Sequence, residues 1–189
     1  MLRLAIRIPL TSVEDLKIIV DAKKRTEDPV FEGPNANINN YLTERYKKFG
    51  LILGNANKLF SLPEDEFLSK MDEYKSELEE LAESSQLPPD YLEKEKRNIF
   101  YEFARNINNY QPYHRILYGD EEFTVSDSFP KNILDEINFN NSVDYLNSYS
   151  YRTLLKEFLD KKANKRKPED GDFDLTYLVL KFQRFARIF

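Results

Sequence analysis

The stretch LPPDYLEKEKRNIFYEFARNINNYQPYHRILYG, Leu87 to Gly119, decides the fold. Pro88 and Pro89 are excluded from a helix interior, and Asp90 with Glu93 three residues on forms a capping-box pattern, so a helix is expected to start there. Leu92, Ile99, Phe100, Phe103 and Ile107 recur at helical spacing, with Lys94, Glu95, Arg97, Glu102 and Arg105 mostly on other faces. The pattern is that of an amphipathic core helix. Asn108, Asn109 and Pro112 are expected to end it. Tyr110, Tyr113, His114, Ile116, Leu117 and Tyr118 are then left as an aromatic wedge ahead of Gly119, and the wedge holds the only histidine of the chain.

Working back from this stretch, Ser61 with Glu64 repeats the capping-box pattern, with Pro63 in the first turn. Phe67, Met71, Tyr74, Leu78 and Leu81 follow at alternating steps of four and three, the spacing of a seam against a neighbouring helix. Acids far outnumber lysines from Glu64 to Glu83, which reads first as a solvated face and second as a docking surface for a partner. Ile38, Tyr41, Leu42, Tyr46, Phe49, Ile52 and Leu53 give an earlier helix its stripe. Gly50 and Gly54 there are read as close packing or a helix end. Before Gly33 the period is two: LRLAIRI (Leu2 to Ile8) and LKIIVDA (Leu16 to Ala22) alternate as half-buried strands, and Pro29 to Phe31 adds a short third.

Working forward, Asp120 to Glu122 reads as a surface turn and Phe123 to Val125 as an extended link. Ser126 or Ser128 is expected to cap a short helix through Ile133, Leu134 and Ile137. FNNSVDYLNS (Phe139 to Ser148) reads as a polar connector anchored by Phe139, Val143, Tyr145 and Leu146. Tyr151, Leu154, Leu155, Phe158 and Leu159 make the next helix. It ends in a basic run, Lys161 to Lys167, that complements a helix C-terminus. From Asp172, the residues Leu175, Leu178, Val179, Phe182, Phe185 and Phe189 form one more stripe, whose end is expected to be either frayed or buried against another copy in a homo-dimer through this C-terminal helix.

The fold expected is mainly α: an antiparallel bundle of about six helices with a short N-terminal β-hairpin or β-remnant. Residues 1–33 would be the β-segment, the end of a β-domain, and residues 35–189 the helical domain. At 189 residues the chain can bury a core, and 14% aromatic residues with no Trp leave Phe and Tyr to fill it. A net charge of −5 argues against a nucleic-acid partner, and no run of about 18 apolar residues exists to cross a membrane.

Zero cysteines exclude thiolate catalysis and cysteine-based metal sites. His114 has no second His, no Cys and no Gly-x-Ser-x-Gly elbow to make a triad with, so it reads as a structural residue. The run from Asp170 fails as a calcium loop, because Leu175 stands where Gly is needed and Lys181 where a bidentate Glu is needed. No catalytic, cofactor-binding or metal residue is expected. Tyr110, Tyr113, His114 and Tyr118 are the candidate binding residues, for another protein or a peptide.

FEGPNANINNYL (Phe31 to Leu42), the run from Leu87 to Phe129, and NFNNSVDYLNSYSYRTLLKEFLDKKA (Asn138 to Ala163) together resemble the helical region of Bacteroidetes cell-envelope proteins of the TlpA-like thiol-disulfide oxidoreductase family. The resemblance rests on packing and connector residues. It implies a non-catalytic helical domain that spaces or orients a redox domain, with its own β-domain and a thioredoxin domain as partners. It also implies a periplasmic or envelope location, and a chain that is a fragment or a shortened relative. The family's Cys-x-x-Cys has no counterpart here, so no catalytic residue carries over. The alternative is a stand-alone helical module that binds a protein or peptide.

Overall fold

Phe31 is the one buried side chain of a short antiparallel hairpin, in which β1 (Lys17–Ile19) pairs with β2 (Val30–Glu32) in the register Ile18 opposite Phe31. A computed structural model describes residues 17–20, 29–33 and 36–164. The expected strand at Leu2 to Ile8, the basic run beyond Asn164 and the C-terminal stripe from Asp172 lie outside the described residues. Among the described residues the chain is mainly helical, with six α-helices after the hairpin, as the periodicity indicates.

The helices are α1 (Ala36–Ile52), α2 (Ala56–Phe60), α3 (Glu64–Ser84), α4 (Pro89–Tyr118), α5 (Ser142–Asn147) and α6 (Tyr149–Asn164), with a 3₁₀ turn at Ile133–Glu136. The chain divides into two compact units, residues 1–96 and 97–189, and α4 contributes its first turns to one and the rest to the other.

In the first unit α1 and α3 run antiparallel. Asn37 Nδ2 donates to the Gln86 carbonyl at one end, and the Phe49 ring meets the edge of Tyr74 at 6.1 Å further along. The α3 seam is as expected: Phe67, Met71, Tyr74 and Leu78 are fully buried, although Ala82 and not Leu81 is its last fully buried residue. On α1 the stripe is narrower than the sequence indicates, because Tyr46 is 79% exposed. Gly54, at φ +58°, ends α1. Ser61 is not the start of α3: it closes α2, its hydroxyl donating to the Lys58 carbonyl, and α3 begins after Pro63 with Glu64, Asp65 and Glu66 at its positive end.

Two corrections concern α4. It starts at Pro89, with the Pro88 carbonyl accepting from Tyr91 and Leu92, so Asp90 lies in the first turn and does not cap it. It also does not stop at Asn109 or Pro112. The helix continues through Pro112 to Tyr118 and is closed by Gly119 at φ +63°, with the Asp120 N–H donating back to the Arg115 carbonyl. Proline inside a helix removes one hydrogen bond and costs about 3 kcal/mol. Burial of Tyr110 before it and the anchoring of His114 and Arg115 after it offset that cost.

In the second unit α6 runs alongside α4 in the same direction, since the long connection from Gly119 to Ser148 returns the chain to the level of Asn98. Ser148 Oγ donates to Asn98, the Tyr151 ring lies 5.1 Å from Tyr101, and Asn108 Nδ2 donates to Glu157. Neither Ser126 nor Ser128 caps a helix. Their hydroxyls bond each other at 2.8 Å, and the segment that follows makes only the 3₁₀ turn, burying Ile133 and Leu134.

Candidate functional site

The four candidate binding residues all lie on the last turns of α4. Tyr110, His114 and Tyr118, four residues apart, form one line along the helix. Tyr110 is fully buried and stacks on Phe129 at 5.4 Å. The His114 ring lies between Phe123 at 4.2 Å and Tyr118 at 4.6 Å. Tyr113 is turned away from this line and is 47% exposed. The arrangement is a clasp that folds the segment after Gly119 back onto the helix. Arg115 Nε donates to the Phe123 carbonyl at 2.7 Å, and the Glu122 N–H donates to Asp120 Oδ1 in the turn expected there. The half-buried His114 ring thus packs against two aromatic neighbours.

A second arrangement escaped the sequence reading. The supposed connector Phe139 to Ser148 contains α5, and its buried residue is Asp144, while Val143 and Leu146 are exposed. Of the apolar anchors named for this segment, Val143 and Leu146 are therefore corrected, while Phe139 is half-buried and stacks on Phe158 at 4.6 Å. Asn141 caps α5 by accepting from the Asp144 N–H at 3.1 Å, and its own Nδ2 donates to Asp144 Oδ2 at 2.7 Å. The carboxylate, with 4% of its side chain exposed, also accepts a forked pair from Arg97 (Nε to Oδ2 2.9 Å, Nη2 to Oδ1 3.0 Å) and a bond from Tyr101 at 2.7 Å. Burial, and then the bond to Asp144 and its charge, push the Tyr101 phenol well above its ordinary range. Tyr151 adds a further tie, donating to the Asn138 carbonyl and accepting from the Asn141 N–H.

The first unit gathers the same residue types around a glutamate, without the forked hydrogen bonds that Arg97 makes. Buried Glu95 accepts from Tyr41 at 2.8 Å and lies 2.6 Å from Arg45 Nε. Tyr41 is held above its usual range by burial and by the Glu95 carboxylate, and for the same two reasons Tyr91 is pushed up to about 12.

Each carboxylate thus sits in a set of one arginine and one tyrosine, with Asn141 added at Asp144. The oxygens of Asp144 take four donors, which leaves no acceptor for a substrate proton. Asp144 ties α5 to α4 through Arg97 and Tyr101, and Glu95 ties α4 to α1 through Tyr41 and Arg45. The sequence signal for Asp144 was the Asn141 to Asp144 spacing of a cap, hidden inside a polar stretch. For Glu95 there was none, because a glutamate on a charged helix face reads as solvated.

A shallow polar depression lined by Asn37, Asn40, Glu44, Ser84, Ser85 and Gln86, with Tyr41 at its base, has a volume of about 220 Å³, below the roughly 300 Å³ of ordinary ligand pockets. Among the described residues there is no group of three His, Asp or Glu placed to hold a metal ion, and no helix long and apolar enough to cross a membrane. No family model matches the chain, and neither a curated protein nor a solved structure matches it.

Proposed function

We propose that this chain is a non-catalytic helical domain of a cell-envelope protein of the TlpA-like thiol-disulfide oxidoreductase kind, which spaces or orients a redox domain. The observation that carries the reading is the saturated Asp144 centre: its carboxylate is spent on Arg97, Tyr101 and Asn141, as suits a rigid holder and not a reacting group. The likeness of Phe31 to Leu42, Leu87 to Phe129 and Asn138 to Ala163 to that family supplies the redox context, and because this chain has no cysteine the reading assigns it no part in the dithiol chemistry. The gene on both sides of this segment provides the test. A downstream domain with Cys-x-x-Cys supports the reading, and flanking coding sequence without one overturns it.

A stand-alone module that binds a protein or peptide is the second reading, favoured by the exposure of Tyr113, Ile116 and Tyr118 on the end of α4. Stop codons on either side of the segment would support it over the first.

A further inference from the structure

Asn37, Asn40, Tyr41 and Glu44 fall on one face of α1 and line the small depression together with Ser84, Ser85 and Gln86, where α3 ends. Gln86 holds a left-handed backbone at φ +52°, and its carbonyl accepts from Asn37 Nδ2, which pins this turn to α1. Non-glycine residues kept in that sparsely populated region cluster at binding sites. The lining offers mainly acceptors. Ser84 and Ser85 each donate to the Leu81 carbonyl, so their hydroxyls have only lone pairs left to give. Glu44 spends Oε1 on Lys47 at 2.7 Å, in an exposed pair, and its Oε2 is unused. The side-chain amides of Asn40 and Gln86 make no hydrogen bond among the described residues, and each can turn its oxygen inward. The negative end of α3 lies at the same place, with no basic residue in its last turn.

We propose that this depression binds the primary ammonium end of a small organic amine. Glu44 Oε2 supplies the opposite charge, and the hydroxyls of Ser84 and Ser85 with the amide oxygens of Asn40 and Gln86 supply acceptors for the three N–H groups, above the Tyr41 floor. An anion is disfavoured, since Glu44 and the helix end both repel it. A divalent metal ion is disfavoured too, because the lining holds a single carboxylate, where such ions take several oxygen ligands. The space of about 220 Å³ fits an amine of a few carbons and excludes a larger ligand.

Nitrogen–proton NMR of the full chain, titrated at pH 7 with diaminobutane, tests the site. Saturable shifts are expected at the side-chain amides of Asn40 and Gln86 and the backbone amides of Ser84 and Ser85, and none with butanediol, which has the same carbon chain and no charge. Glu44 is exposed, so Glu44→Gln should fold as the parent does and weaken diaminobutane binding about fivefold, the upper end for an exposed ion pair. Glu73 makes a matching exposed pair with Lys70 on α3, away from the depression, so Glu73→Gln should leave the affinity unchanged. Equal weakening by the two variants would reveal only diffuse attraction of cations to an acidic surface and overturn the proposal. Unchanged affinity in Glu44→Gln, equal shifts with butanediol, or no saturable shift at these four residues would overturn it as well.

Discussion

Asp144 accepts from Arg97, Tyr101 and Asn141 while almost wholly out of water, so removing it strands four donor groups on three residues at once. Breaking a buried pair from one side costs 3 to 5 kcal/mol, and the partial exposure of Arg97 places Asp144→Ala at about 3 kcal/mol, read from the urea midpoint. A loss below 1 kcal/mol would show that the centre does not hold the second unit together. His114→Ala removes a ring stacked between Phe123 and Tyr118 and should lower stability by about 1 to 2 kcal/mol in thermal melting. Full stability with loss of a bound ligand would instead make His114 a binding residue. Glu157 carries a charge that its site disfavours. Burial raises its carboxyl above the usual range, against the smaller opposing effects of Asn108, Lys161, Asn109 and Arg105. A folded-state pKa raised above the unfolded one gives stability that is present at acid pH and lost as pH rises through the folded value. Glu157→Gln should therefore match the parent near pH 4 and be the more stable of the two at pH 7.

Two glycines in helical surroundings should respond to the same substitution with opposite signs. At Gly50, inside α1, an added Cβ meets nothing within 4 Å, so Gly50→Ala should stabilise by about 1 kcal/mol through helix propensity. At Gly119 the space is equally open but φ is +63°, so Gly119→Ala should destabilise by about 1 kcal/mol from backbone conformation alone. Equal shifts in melting temperature for the two variants would contradict the helix ends described above. At this scale the sequence is informative where apolar side chains set the period. Phe67, Met71, Tyr74 and Leu78 could be placed on the buried seam of α3 because nothing competes with their spacing. It misleads where tertiary contacts override local preference. Pro112 reads as a helix end, yet the helix continues through it, with Tyr110 packed on Phe129 before it and Arg115 bonded to Phe123 after it. In α5 the apolar Val143 and Leu146 face water because the buried place belongs to a carboxylate that brings its own partners. Hydropathy alone cannot show that Asp144 will meet Arg97, 47 residues earlier in the chain.

Each of the two units is built around one buried carboxylate with an arginine and a tyrosine, so both carry the same sensitivity to alkali. Tyr41, Tyr91, Tyr101 and Tyr151 are all raised, in each case chiefly by burial. Their contribution to stability is complete below the ordinary phenol value of about 10 and is lost as pH rises through the higher folded values. Urea midpoints measured from pH 8 to pH 12 should fall, and Tyr41→Phe or Tyr101→Phe should flatten that fall while costing about 1 to 2 kcal/mol at neutral pH for the lost bond to a charged acceptor. An unchanged alkaline slope in both variants would show that these phenols do not govern it. The same two bonds have an optical consequence. The chain has twelve tyrosines and no tryptophan, so its ultraviolet emission is tyrosine light, undimmed by transfer to an indole. A phenol that donates to a carboxylate is a poor emitter, because the excited ring gives up its proton. Tyr41 on Glu95 and Tyr101 on Asp144 are therefore dark in the folded chain, and each unit should brighten as it unfolds.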